Sequence, residues 1–119
     1  MKFLTITKMK DTASTVPPSV MRQLMEATLD LMNKEMKAGR ILEAYFMAGS
    51  GRSMVIAEVK SAEEIVQRIS ALPIEGFMDF ETYPLANFNE SMKAHIEAIK
   101  AAEKMFPGPP KELTQATVG

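Results

Sequence analysis

Cysteine and tryptophan are absent from this 119-residue chain, and histidine occurs once. Without cysteine there is no thiol nucleophile, no thiolate zinc site and no iron–sulfur cluster, and the redox compartment is unconstrained. The single His95 lies between Ala94 and Ile96 on a helical stretch. It has no second histidine with which to share a metal and reads as a surface or packing residue, so no metal and no cofactor are expected. An excess of charge is missing as well. Fourteen basic and fifteen acidic residues are interspersed for a net charge of -1, which leaves no footprint for nucleic acid or an anionic membrane. The apolar run at Met1–Lys8 is too short for a signal peptide, and no stretch approaches the roughly 20 apolar residues of a membrane span. A soluble, cytoplasmic protein is expected. Gly49-Ser50-Gly51 is too short for a phosphate loop and leads into a strand rather than a helix, and no serine occupies a nucleophile-elbow pattern.

The content that remains is that of one globular domain with a core of its own, 46% hydrophobic and 24% charged. Eleven methionines stand out. Met21, Met25, Met32 and Met36 recur at helical spacing and read as packing residues. Met47 and Met54 fall on strands and are expected to line a pocket, a role suited to the adaptable thioether.

Phe3 to Met9 is β-rich and alternating, which predicts a first strand. After a polar connection, Pro17-Pro18 opens a helix that runs to about Lys37 and stops at Gly39. Its apolar residues Val20, Met21, Leu24, Met25, Ala27, Leu31 and Met32 cover more of the circumference than a lone sheet requires, so something besides the sheet is expected to cover them. Arg40–Ala48 and Ser53–Val59 alternate on either side of Gly49-Ser50-Gly51-Arg52 and predict a hairpin. Ser61-Ala62-Glu63-Glu64 is a capping box, with Glu64 expected to reach back to the Ser61 amide, and Ile65, Ile69 and Leu72 form one side of the helix that follows. Leu72-Pro73 ends that helix and hands the chain to a fourth strand that stops at Pro84. Asn87 or Asn89 caps a third helix striped by Met92, Ile96, Ile99 and Ala102.

The order β-α-β-β-α-β plus a C-terminal helix predicts the α+β class. It is the ferredoxin-like arrangement, a four-stranded antiparallel sheet with two helices on one face. One domain is expected over 1–106 and a flexible proline- and glycine-rich tail over 107–119. The other sheet face is left open. It is too apolar to stay wet, so a second copy is expected to cover it, giving a homodimer or higher homo-oligomer, a dimeric α+β barrel with a cleft between the sheets.

Assigned by polarity, that face carries Thr5, Thr7, Glu43, Tyr45, Met47, Met54, Ile56, Glu58, Asp79, Glu81 and Tyr83, four acids without a base. Carboxylates crowded in a partly apolar cleft raise one another's pKa, which suits them to proton transfer near neutral pH. Glu43, Glu58 and Asp79 are the candidate acids and bases. Tyr45 and Tyr83 are candidate donors to a developing oxyanion, Arg40 or Arg52 can hold a substrate carboxylate, and Met47, Met54 and Glu81 complete a binding set. The competing reading is that these acids blunt edge strands and keep the dimer soluble.

The run from Gly39 to Ala48-Gly49, the strand ending Glu58-Val59, and above all Leu72-Pro73 followed by Met78-Asp79-Phe80-Glu81 resemble the muconolactone isomerase family over residues 1 to 88. The resemblance implies dimers built through the open sheet face, assembled into a larger ring. It also implies a proton transfer that shifts a double bond in an unsaturated lactone. Where that family has a strand rich in tryptophan, arginine and histidine, this chain has Ile41-Leu42-Glu43-Ala44-Tyr45-Phe46. The expected function is therefore binding, and isomerisation, of a small organic molecule. The alternatives are a non-enzymatic ligand-binding or assembly module and a cofactor-independent monooxygenase of the dimeric α+β barrel group.

Overall fold

The computed structural model describes residues 1–106 and 108, so the tail expected over 107–119 lies, apart from Gly108, outside the described residues. The elements are β1 (Lys2–Met9), α1 (Pro18–Lys37), β2 (Ile41–Met47), β3 (Arg52–Glu58), α2 (Ala62–Ser70), β4 (Met78–Leu85) and α3 (Phe88–Met105). They fall into two compact units, Met1–Leu85 and the segment from Ala86 onward.

In the first unit the sheet order is β2-β3-β1-β4 with every neighbouring pair antiparallel. This is the arrangement that the order of elements predicts. Local chemistry sets the element ends. Pro18 occupies the first turn of α1, where a missing N–H costs nothing, and Lys34 and Lys37 sit in its last turn, where positive charge offsets the helix dipole. Gly39 then takes φ +79°, a left-handed conformation that costs a residue with a Cβ, and reverses the chain into β2. Gly49 and Gly51 do the same at the β2–β3 turn. The Ser61 hydroxyl accepts from the Glu64 amide at 3.2 Å. Glu64 reaches one residue further back than the capping box predicts, accepting from the Lys60 amide at 2.7 Å instead of from Ser61. α2 also closes earlier than Leu72, at Ser70, and a 3-10 turn at Glu75–Phe77 separates Pro73 from β4.

The core lies between the sheet and α2. Phe3, Ala57, Val59 and Ile65 are buried together, with Ile69 packed against them. Because side chains alternate along a strand, the burial of Phe3 puts Thr5 and Thr7 on the same helix-facing side. Both are buried, which corrects their assignment to the open face. Their hydroxyls are satisfied across the sheet, Thr5 with Thr82 at 3.1 Å and Thr7 with Ser53.

A second tie holds α1, α2 and the start of β2 together. The Glu35 carboxylate, on the sheet-facing side of α1 and only 14% exposed, accepts from both Arg40 and Arg68. Arg68 also donates to Glu64 at 3.1 Å.

In the second unit Asn87, rather than Asn89, caps α3, its Oδ1 accepting from the Glu90 amide at 3.0 Å. Met92, Ile96 and Ile99 form the expected stripe, exposed to solvent.

Candidate active site on the open sheet face

Residues paired across neighbouring strands point to the same side of a sheet, so the register defines the face that α2 does not cover. Row by row it reads Met47–Arg52–Lys8–Asp79, then Tyr45–Met54–Ile6–Glu81, then Glu43–Ile56–Leu4–Tyr83, and last Glu58–Lys2–Leu85. Leu4, Ile6, Met54 and Ile56 are half-buried and make an apolar floor across the two central strands. Charged and phenolic groups surround it. A bulge between Ile41 and Glu43 shifts the register of β2 and keeps Glu43 on this side of the sheet.

The four acids expected to share the face do share it, but dispersed. Glu43 lies on one edge strand, and Asp79 and Glu81 on the other, three strand spacings or about 14 Å away. Glu58 lies at one end of β3, with its Oε1 3.4 Å from the amino group of Met1 and Lys2 as its cross-strand neighbour. Nor is the face free of bases. Lys2, Lys8 and Arg52 stand on it, and Lys8 has Arg52 on one side and Asp79 on the other. Polarity alone hides this, because Lys8 shares its parity with Leu4 and Ile6. That parity was the signal that would have placed it. Of the two arginines considered for an anionic ligand, Arg40 is committed to Glu35, whereas Arg52 points onto the open face.

The two tyrosines occupy equivalent positions on opposite edges. Tyr83 donates to Glu81 at 3.0 Å and Tyr45 lies 3.5 Å from Glu43. The hydrogen bond to Glu81 pushes the Tyr83 phenol above its ordinary value, because ionising it would set two negative charges side by side. In a Tyr45→Phe background, where Tyr83 is the only phenol, Glu81→Gln is expected to move the phenolate transition, read by ultraviolet absorbance, to lower pH. An unchanged transition would show that Glu81 does not hold that proton. Among the described residues no three histidine or carboxylate side chains converge as a metal site.

The family model described as muconolactone delta-isomerase matches residues 1–91. The chain belongs to that family. Residues 1–91 comprise the whole sheet and both helices that pack with it, so family membership covers the open face in full. Most of α3 lies beyond the match. Among solved structures, muconolactone isomerase superposes with a TM-score of 0.64 at 22% identity, over 73% of this chain and 90% of that one. The 5-chloro-2-hydroxyhydroquinone dehydrochlorinase of Burkholderia phenoliruptrix AC1100, in complex with 2,5-dihydroxybenzoquinone, superposes with a TM-score of 0.57 at 20% identity, over 76% of this chain and 98% of that one. At these identities the likeness is one of fold. No curated protein matches the chain. No helix among the described residues is long and apolar enough to cross a membrane.

Proposed function

We propose that the open sheet face binds a small unsaturated organic molecule bearing an anionic group and isomerises it by moving a proton, with a second copy of the chain closing the cleft. The observation that carries this reading is the row Arg52–Lys8–Asp79, in which Lys8 stands between a second cation and a carboxylate at the rim of an apolar floor. Membership of the muconolactone delta-isomerase family supports the same class of reaction.

Each residue has a separable task. Arg52 anchors the anionic group, Ile6 and Met54 take the carbon skeleton, and Asp79 removes a proton from the carbon next to a carbonyl. The electron pair moves onto the carbonyl oxygen, and Lys8 stabilises the enolate that forms. Asp79 then returns the proton at the far end of the conjugated system, so the double bond shifts with no net oxidation. Tyr83, its proton engaged by Glu81, orients that edge of the cleft rather than supplying a proton.

Muconolactone is the direct probe of this reading. Arg52→Gln removes the anchoring cation, and titration calorimetry is expected to give a Kd about 10- to 100-fold higher, the loss of one charge-assisted hydrogen bond. Unchanged affinity in Arg52→Gln, or wild-type protein that neither binds nor turns over the lactone, would overturn the assignment.

A further inference from the structure

Asp79 has Lys8 as its cross-strand neighbour, and Glu58 has Lys2 and the amino group of Met1. Glu81 has no such cation. Its row, Tyr45–Met54–Ile6–Glu81, and the next, Glu43–Ile56–Leu4–Tyr83, carry no lysine or arginine, so the nearest cations on the face are those of the Arg52–Lys8 row. The group that meets Glu81 is Tyr83, whose hydroxyl donates to Oε2 at 3.0 Å, and no hydrogen bond among the described residues engages Oε1. That contact uses the only proton the phenol has to give. A ligand lying over Leu4 and Ile6 therefore finds acceptors alone at this edge, the free carboxylate oxygen of Glu81 and the remaining lone pair of Tyr83. The open face is polarised along its length, with donors at the Arg52–Lys8 end and acceptors at the Glu81–Tyr83 end.

We infer that Glu81 determines specificity by selecting substrates that carry a hydroxyl group on the side of the skeleton opposite the anionic group, with Tyr83 as the residue that positions it. The inference rests on the proposed anchoring of the anion by Arg52. Arg52 on β3 and Glu81 on β4 are two strand spacings apart and one two-residue step along, about 12 Å in all. Side chains stand roughly perpendicular to a sheet, so their polar tips keep a similar separation. Two charge-assisted hydrogen bonds of about 2.8 Å then leave about 6 Å between the anionic oxygen of the ligand and its hydroxyl oxygen. That is the span of a six-membered ring with its substituents at opposite ends. A second anionic group in the place of the hydroxyl would meet the Glu81 charge and be repelled, so the same carboxylate also sets the direction in which the substrate lies.

Three unreactive carboxylates test this: benzoate, 4-hydroxybenzoate and benzene-1,4-dicarboxylate, with Kd read by ligand-observed NMR. Wild-type protein is expected to bind 4-hydroxybenzoate about tenfold more tightly than benzoate, the gain from one hydrogen bond to a charged acceptor, and to bind the dicarboxylate no more tightly than benzoate. Glu81→Gln keeps the size of the side chain but replaces the free acceptor oxygen by an N–H donor or an uncharged carbonyl, and is expected to bring the ratio of the first two affinities below about threefold. Arg52→Gln is expected to weaken both ligands in parallel and leave their ratio as in wild type. Equal binding of benzoate and 4-hydroxybenzoate by wild type, a ratio undiminished in Glu81→Gln, or a preference for the dicarboxylate would overturn this inference alone. Wild-type protein that binds none of the three would overturn the anion anchor of the proposed function, and this inference with it.

Discussion

Replacing Asp79 with asparagine is expected to lower kcat on muconolactone by about 10²- to 10⁴-fold, the usual contribution of a positioned general base, while leaving Kd and the circular dichroism spectrum close to wild type. Asparagine keeps the shape of the side chain and its place beside Lys8 but cannot take a proton. Glu58 provides the contrast. It pairs across the sheet with Lys2, six residues along β1 from the Lys8 that neighbours Asp79, and six residues of strand span roughly 20 Å. A molecule the size of a lactone does not touch both. Glu58→Gln is therefore expected to change kcat less than threefold or so on the scale of an exposed ion pair. Full activity in Asp79→Asn, or a loss in Glu58→Gln equal to that in Asp79→Asn, would show that the proton is moved elsewhere on the face.

The architecture was legible in the sequence because each boundary carries its own local signal. Pro18, Gly39, Gly49, Ser61 and Asn87 act through backbone conformation or capping, and the structure uses each of them where the sequence implies. The assignment of faces was less legible. Threonine looks polar, yet its branched methyl packs well in a strand and its hydroxyl needs only one partner. Thr82 and Ser53 supply those partners from neighbouring strands, and no local pattern shows that pairing. Misreading β1 removed Lys8 from the face and produced a cleft of acids alone. Phe3, two residues from Thr5, held the information needed for the correct parity. Glu35 escaped notice for a related reason. It stands four residues after Leu31 and seven after Thr28, on the side of α1 that packs against the sheet. A charge at that position implies a buried cation nearby, but Arg40 and Arg68 come from other elements and only the fold brings them together.

Glu35→Gln is expected to destabilise the Met1–Leu85 unit by about 2 kcal/mol at neutral pH, within the range for hydrogen bonds to charged groups, and so to lower Tm by roughly 10 °C for a unit of this size. The carboxylate accepts from two guanidinium groups at once, with both oxygens engaged. Glutamine offers one acceptor oxygen and presents its amide N–H groups to the guanidiniums, so Arg40 loses its carboxylate partner and Arg68 keeps only Glu64. The wild-type effect depends on pH in a defined direction. The hydrogen bond from Arg40, aided by the charge of Arg68, holds the Glu35 carboxyl below its ordinary value of 4.5. A lowered pKa in the folded state means that the unfolded chain takes up the proton first as pH falls. The stabilisation is complete above the ordinary value and is lost as pH falls through the folded-state value. Urea unfolding followed from neutral to acid pH is therefore expected to show wild type and Glu35→Gln well separated at neutral pH and converging in acid. Parallel curves would mean that the mutation acts through packing alone, and coincident curves at neutral pH would mean that the tie between α1, α2 and β2 contributes nothing to the fold.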